Sequence, residues 1–244
     1  MSLAATLRFS LVVPVYNEQD NVDALLDEIA NVVVPLGPFE AIVVDDGSKD
    51  QSLEKMQDWK RRHAAAWLRI VKLAQNRGQS AAVCAGIDSA RSGLILMMDG
   101  DLQNDPRDFA KMLELLGRGE CDGVSGIRAK RKDTFVRRAS SKIGNQFRNW
   151  ITGDRVTDSA SGIKAFRKEV MLAMPRFNGM HRFLPTLARY AGAKLVEIPV
   201  NHRARNAGVA KYGVGNRAWR GLKDCFAMRW LRQRMLNFKI EGES

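Results

Sequence analysis

Two aspartates follow directly after an apolar run in the middle of the chain. The run Leu94–Met98 is typical of a buried strand, and Asp99, Asp101 and Gln103 come directly after it. Residues two apart on an extended backbone point to the same side, so both carboxylates can be directed at one place. Mg²⁺ or Mn²⁺ binds one or two carboxylates together with phosphate oxygens. The spacing therefore indicates a metal site to which Gln103 adds a neutral oxygen. A plain polar turn is the alternative, since Asp and Gly are common turn residues.

Two earlier strand-to-helix junctions carry polar residues of a related kind. Phe9–Val15 predicts a strand followed by Tyr16 and Glu18, and Phe39–Asp45 predicts a strand followed by Asp46. Such aromatic and carboxylate side chains suit a nucleobase and ribose hydroxyls, although turn formation explains either loop taken alone. Ligands of open α/β sheets bind at the carboxyl ends of the strands. We therefore expect the three junctions to line one edge of a sheet.

Near-continuous Val, Ile and Leu runs alternate with helix-length segments, which favours an α/β fold with a mostly parallel sheet and helices on both faces. Strands are predicted at Phe9–Val15, Phe39–Asp45, Leu68–Leu73, Leu94–Met98, near 162–167 and at 194–200. Helices are predicted over 19–34, 51–65, 79–90, after Pro106, and over 134–151, 181–191 and 216–238. Without repeats or a Pro-rich linker, the first 214 residues form one catalytic domain, followed by a basic helix and tail over 215–244.

The charge of the 244-residue chain is uneven. The formal net charge is +12, and Lys and Arg concentrate in residues 128–148 and 203–239. An anionic partner such as a phosphate, a nucleic acid or an acidic membrane is therefore expected. The cysteines Cys84, Cys121 and Cys225 lack metal-ligand spacing and indicate reduced thiols in the cytoplasm. No signal peptide is predicted, and no run reaches the ~18 to 20 apolar residues that a membrane-spanning helix needs.

At this point several motifs carry a family resemblance. PVYNE, VVDDGSKD, NRGQSAA and MDGDLQNDP occur in this order and resemble the family 2 glycosyltransferases, which have a GT-A fold. The later segments SGIR, DSASG and RNAGVAKY resemble the polyprenyl-phosphate sugar synthases, such as dolichyl-phosphate mannose synthase. The resemblance covers nearly the whole chain. The DGDLQ and GxAKY segments are specific together, and neither is specific alone.

The resemblance implies a role for each matching residue. The nucleotide sugar would be bound by Pro14, Tyr16, Glu18, Val44, Asp46, Asp99, Gly100, Asp101, Arg205 and Lys211. Asp99, Asp101 and Gln103 would hold Mg²⁺ or Mn²⁺, and Arg128, Arg131 and Arg138 would bind the acceptor phosphate. Asp101, Arg128, Arg205 and Lys211 would be catalytic. One departure is Ala210, which stands where the family usually has Ser, so a hydrogen bond to phosphate is missing or replaced there.

The acceptor can be argued from chemistry. A hydroxyl acceptor needs a base to remove its proton. A phosphate monoester has a second pKa of about 6 and is already largely dianionic at neutral pH, so it needs only cations to hold it. The basic segment 128–148 favours the phosphate. The rival is a transferase that acts on a hydroxyl of a polysaccharide or glycolipid, with Asp158 as its base. The alternative for Asp158 is a structural carboxylate that caps a turn or orients an arginine.

The last predicted helix indicates how the enzyme meets a lipid. Trp219, Leu222, Phe226 and Trp230 recur at three- and four-residue steps among many Lys and Arg residues. This pattern is typical of a helix lying in an anionic membrane interface, although a helix packed on the domain with a basic outer face would look similar. We expect peripheral, salt-sensitive contact with the cytoplasmic membrane face. No transmembrane helix is expected, and the sequence is compatible with a homo-oligomer.

The function predicted from these residues is transfer, with inversion, of a sugar from a GDP- or UDP-sugar to a polyprenyl phosphate in a metal-dependent reaction. A basic nucleic-acid-binding protein, or a membrane-bound protein without catalysis, is less favoured. The acids Asp46, Asp99 and Asp101 would repel the phosphates of a nucleic acid, so we expect no nucleic-acid partner.

Overall fold

The computed structural model describes residues 7–128, 135–159, 161–203 and 214–236, with the side chains of 135–143 and 214–220 left out. Its described strands form one seven-stranded sheet in the order β3-β2-β1-β4-β6-β5-β7. Their bounds are β1 Phe9–Val15, β2 Phe39–Asp45, β3 Leu68–Lys72, β4 Leu94–Met97, β5 Gly123–Arg128, β6 Lys164–Arg167 and β7 Leu195–Val200. Every strand is parallel to its neighbours except β6, which is antiparallel to β4 and β5. The mostly parallel sheet is as predicted.

The predicted helices lie where the sequence placed them, but several are shorter than predicted. They are α1 Val22–Glu28, α2 Ser52–Arg62, α3 Gln79–Ser89, α4 Phe109–Gly117, α5 Phe135–Thr152, α6 Lys168–Ala173, α7 Leu184–Tyr190 and α8 Val214–Arg234. After α1 the chain continues through a π-helical and a 3₁₀ segment to Leu36, so the predicted helix over 19–34 is not regular throughout. Pro106 begins a 3₁₀ turn that leads into α4. The short helix α6 was not predicted.

Strand β5 was also missed by the sequence analysis. Two glycines and a serine within six residues weaken its β signal, because glycine in a strand offers no side chain to pack. The packing explains both glycines. A Cβ on Gly123 would lie 2.5 Å from Cδ1 of Phe166, and a Cβ on Gly126 would lie 2.7 Å from Cγ2 of Val200. Large neighbours thus occupy the space in which β5 lacks side chains.

The sheet has a buried layer on each face, as predicted. Alternate residues of β1 point to opposite sides. Leu11 and Val13 belong to a cluster that includes residues of α1, α2 and α4. Val12 belongs to a second cluster that includes residues of α3, α6, α7 and α8. The two layers hold the sheet rigidly, so that loops at its carboxyl edge start from fixed positions.

Helix α8 packs against α5 and covers part of the second layer. Among the described side chains of α8, Cys225 and Met228 are buried, and Leu222 packs partly buried beside them. Phe226 and Trp230 are 57 % and 61 % exposed on the outer side. In the described part of the predicted apolar stripe, Leu222 is directed to the core and the two aromatics are directed outward, and the side chain of Trp219 lies outside the described residues. Within the described residues, no helix combines the length and apolarity needed to cross a membrane.

Candidate active site

The carboxyl edge of the sheet brings the three predicted junctions together. Asn17, after β1, accepts a hydrogen bond through Oδ1 from the backbone N–H of Lys49, after β2, at 2.8 Å. Gly100, after β4, lies so close to β1 that a Cβ on it would be 3.2 Å from the carbonyl oxygen of Pro14. Asn17 has a positive φ of 50°. Strained backbone of this kind is often found in binding loops.

The two acids of the third junction differ in their surroundings. Asp99 is half-buried, and its Oδ1 accepts a hydrogen bond from Nε2 of Gln79 at 2.7 Å. Asp101 Oδ1 accepts one from the backbone N–H of Gln103 at 3.2 Å, which closes a tight turn. Leu102, inside that turn, has a positive φ of 61°. A bulky residue rarely adopts this conformation, so the turn is held by its surroundings.

The electrostatics of the carboxylates Asp99 and Asp101 favour binding of a cation. Burial and the negative charge of Asp101 raise the pKa of Asp99 to about 6, against the opposing influence of Lys164, Gln79 and Arg128. Two close carboxylates that resist ionisation together are stabilised when a divalent cation binds between them. Among the described residues, no group of three or more His, Cys, Asp or Glu side chains could form a full protein cage for a metal. The pair therefore fits Mg²⁺ or Mn²⁺, which accept few protein ligands and take substrate oxygens for the rest.

Replacing Asp99 with asparagine is expected to stabilise the metal-free protein at neutral pH. A raised pKa in the folded state means that Asp99 contributes stability below its ordinary pKa of 3.8, and that this contribution is lost as the pH rises to about 6. Asn cannot ionise, so the free energy of unfolding of Asp99→Asn should exceed that of the wild type by about 1 to 3 kcal/mol at pH 8 and match it near pH 4. Urea unfolding in EDTA across this pH range measures the difference.

Asp88→Asn is the matched control for this experiment. Arg176 holds the pKa of Asp88 below its usual range, so this substitution should lower stability at pH 8 instead of raising it. An Asp99→Asn protein that is less stable than the wild type at pH 8 would contradict the description of the acid pair.

The residues predicted to bind the nucleotide divide into two groups. Pro14, Tyr16 and Glu18 are half-buried at the edge of the site, where a ligand could reach them. Val44 has no exposed surface and its side chain packs in the second core cluster, so binding of the nucleotide by Val44 stays a prediction. Its apolar character at the end of a buried strand explains its position without a ligand.

Asp46 has a structural task that the sequence did not indicate. It is 3 % exposed, and its carboxylate accepts hydrogen bonds from the backbone N–H groups of Arg77 and Gly78, both at 2.8 Å, and from Nδ2 of Asn76 at 3.1 Å. These bonds hold the loop before α3, which carries Gln79. In this structure Asp46 therefore shapes the loop that reaches Asp99, and its carboxylate does not face an open cleft.

Arg128 and Asp158 form a forked ion pair beside the acids. Nε of Arg128 donates to Oδ2 of Asp158 at 2.7 Å, and Nη2 donates to Oδ1 at 2.8 Å. The two side chains are only 11 % and 17 % exposed. Forked pairs of this kind fix both partners. Asp158 thus orients Arg128, which was one of the two interpretations that the sequence left open.

Lys164, like Gln79, is a residue beside Asp99 that the sequence analysis missed. It is 4 % exposed in β6, and burial lowers its pKa to about 8 although the charges of Asp99 and Asp158 oppose this change. Lys164 therefore lies in the electric field of both the acid pair and the Arg128 pair. A lysine that interrupts the apolar run of a predicted strand, as in Ile163–Phe166, was the available signal.

The other predicted phosphate-binding residues are only partly described. Arg131, Arg205 and Lys211 lie outside the described residues, as does Ala210, and of Arg138 only the helical backbone is described. Arg203, which precedes residues 204–213 in the sequence, is the last described residue on this side. The backbone N–H of Arg203 donates to the carbonyl oxygen of Gln103 at 2.8 Å, and its guanidinium lies 3.2 Å from Oδ1 of Asp105. The basic segment thus begins next to the turn that carries Asp101.

Comparison with known proteins assigns the chain to a family. Residues 10–173 match the model of Glycosyl transferase family 2. The chain belongs to this family. The matched residues include all three junctions, both acids and the Arg128 pair.

This glycosyltransferase has well-matched relatives among curated proteins. It is 40 % identical to a dodecaprenyl-phosphate galacturonate synthase of Rhizobium johnstonii, over 91 % of the chain and 67 % of the relative. It is 34 % identical to an undecaprenyl-phosphate 4-deoxy-4-formamido-L-arabinose transferase of Edwardsiella ictaluri, over 88 % of the chain and 66 % of the relative. The chain therefore spans about two thirds of the length of these relatives.

Solved structures show the same GT-A fold. A mannosyltransferase of Pyrobaculum calidifontis, in complex with GDP-Man and Mn²⁺, superposes with a TM-score of 0.65 at 20 % identity, over 96 % of this chain and 66 % of that one. The glucosyl-3-phosphoglycerate synthase of Mycobacterium tuberculosis, in complex with Mn²⁺, UDP and phosphoglyceric acid, gives a TM-score of 0.70 at 17 % identity, over 96 % and 81 %. The predicted fold class is confirmed.

Proposed function

We propose that this glycosyltransferase moves a sugar from a GDP- or UDP-sugar to a polyprenyl phosphate, with Mg²⁺ or Mn²⁺ as its cofactor. The observation that carries the proposal is the forked pair of Arg128 and Asp158. The pair uses the carboxylate that a hydroxyl-acceptor mechanism would need as its base, and it fixes a guanidinium close to Asp99. The two curated relatives named above, whose names contain polyprenyl phosphates, support the same acceptor.

The charge of the acceptor makes a base unnecessary. A phosphate monoester is largely dianionic at neutral pH and can attack without losing a proton. Arg128 has five N–H donors, and the two bonds from its side chain to Asp158 use two of them. The remaining donors can bind phosphate oxygens, which Arg recognises well. Arg128 would thus hold the acceptor phosphate, helped by Arg131 and Arg138.

The donor would lie across the three junctions. Pro14, Tyr16 and Glu18 border the part of the site proposed for the base and ribose. A divalent cation bound at Asp99, Asp101 and Gln103 would supply positive charge to the diphosphate leaving group. Arg205 and Lys211 would add positive charge from the segment that begins beside Gln103. Direct attack from the opposite side would invert the configuration at the anomeric carbon.

Exposed aromatic residues support contact with a membrane. Phe147 and Trp150 of α5 are 48 % and 72 % exposed, with their ring centroids 6.0 Å apart. On α8, which packs against α5, Phe226 and Trp230 are exposed next to the exposed Arg229. Aromatics among basic residues suit an anionic membrane interface. We propose peripheral binding to the cytoplasmic face of the membrane, where the lipid acceptor would be met.

Replacing both Phe226 and Trp230 with serine is expected to weaken vesicle binding at least about tenfold. Burial of each aromatic side chain in the interface would contribute roughly 1.5 to 3 kcal/mol to the binding free energy. Sedimentation with vesicles of phosphatidylglycerol and phosphatidylcholine measures the effect, and binding by the wild type should weaken as salt rises. The matched control is Leu172→Ser, since Leu172 is 50 % exposed on α6. Equal binding by the double variant and the control would contradict a membrane role for α8.

A transfer assay tests the proposed reaction. Purified protein is incubated with Mn²⁺, undecaprenyl phosphate in detergent, and a panel of radiolabelled GDP- and UDP-sugars that includes a uronic acid donor. Label that enters the organic phase with one donor, and that disappears with EDTA, would support the proposal and identify the sugar. Slow hydrolysis of one donor without lipid labelling would retain the donor site and reject the acceptor. If no donor is bound or hydrolysed, the proposed reaction is wrong.

A further inference from the structure

Lys164 is tied to a short turn that forms the rear wall of the acid site. Its ammonium group donates a hydrogen bond to the carbonyl oxygen of Ser161, and both residues are buried. The hydroxyl of Ser161 makes no hydrogen bond in the described structure. A buried ammonium needs compensating partners, because it has lost its hydration.

The turn held by Lys164 lies directly against the carboxylate of Asp99. A Cβ built on Gly162 would lie 2.3 Å from Oδ2 of Asp99 and 2.7 Å from Nδ2 of Asn104. Real Cβ atoms do not approach other atoms so closely, so only glycine allows the main chain to lie this near the carboxylate. On its other side, Oδ1 of Asp99 is bound by Gln79 at 2.7 Å. The carboxylate is thus confined between Gln79 and the Gly162 backbone.

We propose that Lys164 is a positioning residue for the metal ligand Asp99. By holding the Ser161 carbonyl it fixes the turn, the turn places Gly162 against Oδ2, and Gly162 sets the orientation of the carboxylate. The inference rests on the metal site of the proposed function, but it assigns a role to residues that do not touch the metal. Groups that orient a metal ligand typically change metal affinity about 10- to 100-fold when they are replaced.

The direction of the change in Mn²⁺ affinity distinguishes a positioning role of Lys164 from a purely electrostatic one. If only charge mattered, removing the positive charge of Lys164 would remove its repulsion of Mn²⁺, and the acid pair would bind the cation more tightly. If Lys164 acts by holding the turn, its replacement must weaken Mn²⁺ binding instead. Gly162→Ala leaves every charge in place and displaces Asp99 or Asn104, so it should weaken Mn²⁺ binding as well.

The test measures Mn²⁺ affinity by electron paramagnetic resonance for the wild type, Lys164→Met, Lys164→Arg, Gly162→Ala and Lys168→Met. We expect Mn²⁺ binding to be about 10-fold weaker in Lys164→Met and Gly162→Ala, and to recover in large part in Lys164→Arg, which keeps a donor for Ser161. Lys168 is the matched control, because its ammonium also donates a hydrogen bond to a backbone carbonyl oxygen, that of Ala90 at 2.6 Å, and this bond is remote from the acid pair. Lys168→Met should bind Mn²⁺ like the wild type.

The alternative outcomes are distinct. If the wild type binds Mn²⁺ and either Lys164→Met or Gly162→Ala binds it equally or more tightly, the positioning role is wrong while the metal site stands. If the wild type does not bind Mn²⁺, the metal site of the proposed function fails and the positioning role fails with it. Urea unfolding confirms that each variant is folded. Should Lys164→Met not fold, Gly162→Ala decides the proposal by the same measurement.

Discussion

Asp101→Ala is expected to lower the rate of sugar transfer by at least about a thousandfold, because it removes one of the two carboxylates available for the cation that neutralises the leaving diphosphate. The substitution also deletes the acceptor of the turn hydrogen bond that the backbone N–H of Gln103 donates to Oδ1 of Asp101 at 3.2 Å. The rate is measured with labelled donor at saturating Mn²⁺. The Mn²⁺ concentration for half-maximal activity should rise in any residual activity.

Asp101→Asn separates charge from turn geometry. Asparagine keeps an Oδ1 that can accept the bond from Gln103, and it lacks the negative charge. If charge is what matters, this variant should lose nearly as much activity as Asp101→Ala. Wild-type rates in Asp101→Asn would show that transfer does not depend on a carboxylate at this position, and the cation site would have to be reconsidered.

Arg128→Ala should lower transfer by about 100- to 1,000-fold, the range expected when one fixed donor to a reacting anion is lost. The Michaelis constant for the polyprenyl phosphate should rise more than that for the nucleotide sugar, since Arg128 is proposed to hold the acceptor. Arg128→Lys keeps the charge without the forked geometry and should give an intermediate rate. Steady-state kinetics with each substrate varied in turn measure these effects.

Two variants serve as controls for Arg128. Arg69 binds Glu40 at 2.6 Å near the opposite, amino-terminal edge of the sheet, so Arg69→Ala should lower stability and leave the kinetics of the folded enzyme unchanged. Asp158→Asn should lower transfer only about tenfold, because it loosens Arg128 without removing a base. Near-complete loss of activity in Asp158→Asn, with loss of the acidic limb of the pH profile, would favour the hydroxyl-acceptor rival.

The regular first half of the fold was predictable because its signals are local. Phe9–Val15 and Phe39–Asp45 are mostly apolar runs followed by turn residues, and both are strands with the predicted bounds. Such runs belong to strands that are buried on both faces. The junctions after them also lie together, because parallel strands end at one edge of the sheet.

The second half was less predictable because its signals are not local. Strand β5 contains glycines that are explained only by Phe166 and Val200, which approach it from other strands. Strand β6 runs antiparallel between β4 and β5, and no pattern within its four residues states that direction. On α8, the sequence could show that Leu222 and Phe226 are apolar, and it could not show which of them would find a neighbour.

The sequence by itself determined which groups are present: an acid pair after a buried strand, polar junctions that precede it, and basic segments suited to phosphates. The tertiary structure decided which of these groups meet. Gln79, Gly162 and Lys164 surround Asp99 although they come from α3, a turn and β6. Val44 and Asp46 match the family motif VVDDGSKD, and both are nevertheless buried in the interior. Side-chain type fixes chemistry within a few residues, whereas orientation and burial depend on neighbours that are distant along the chain.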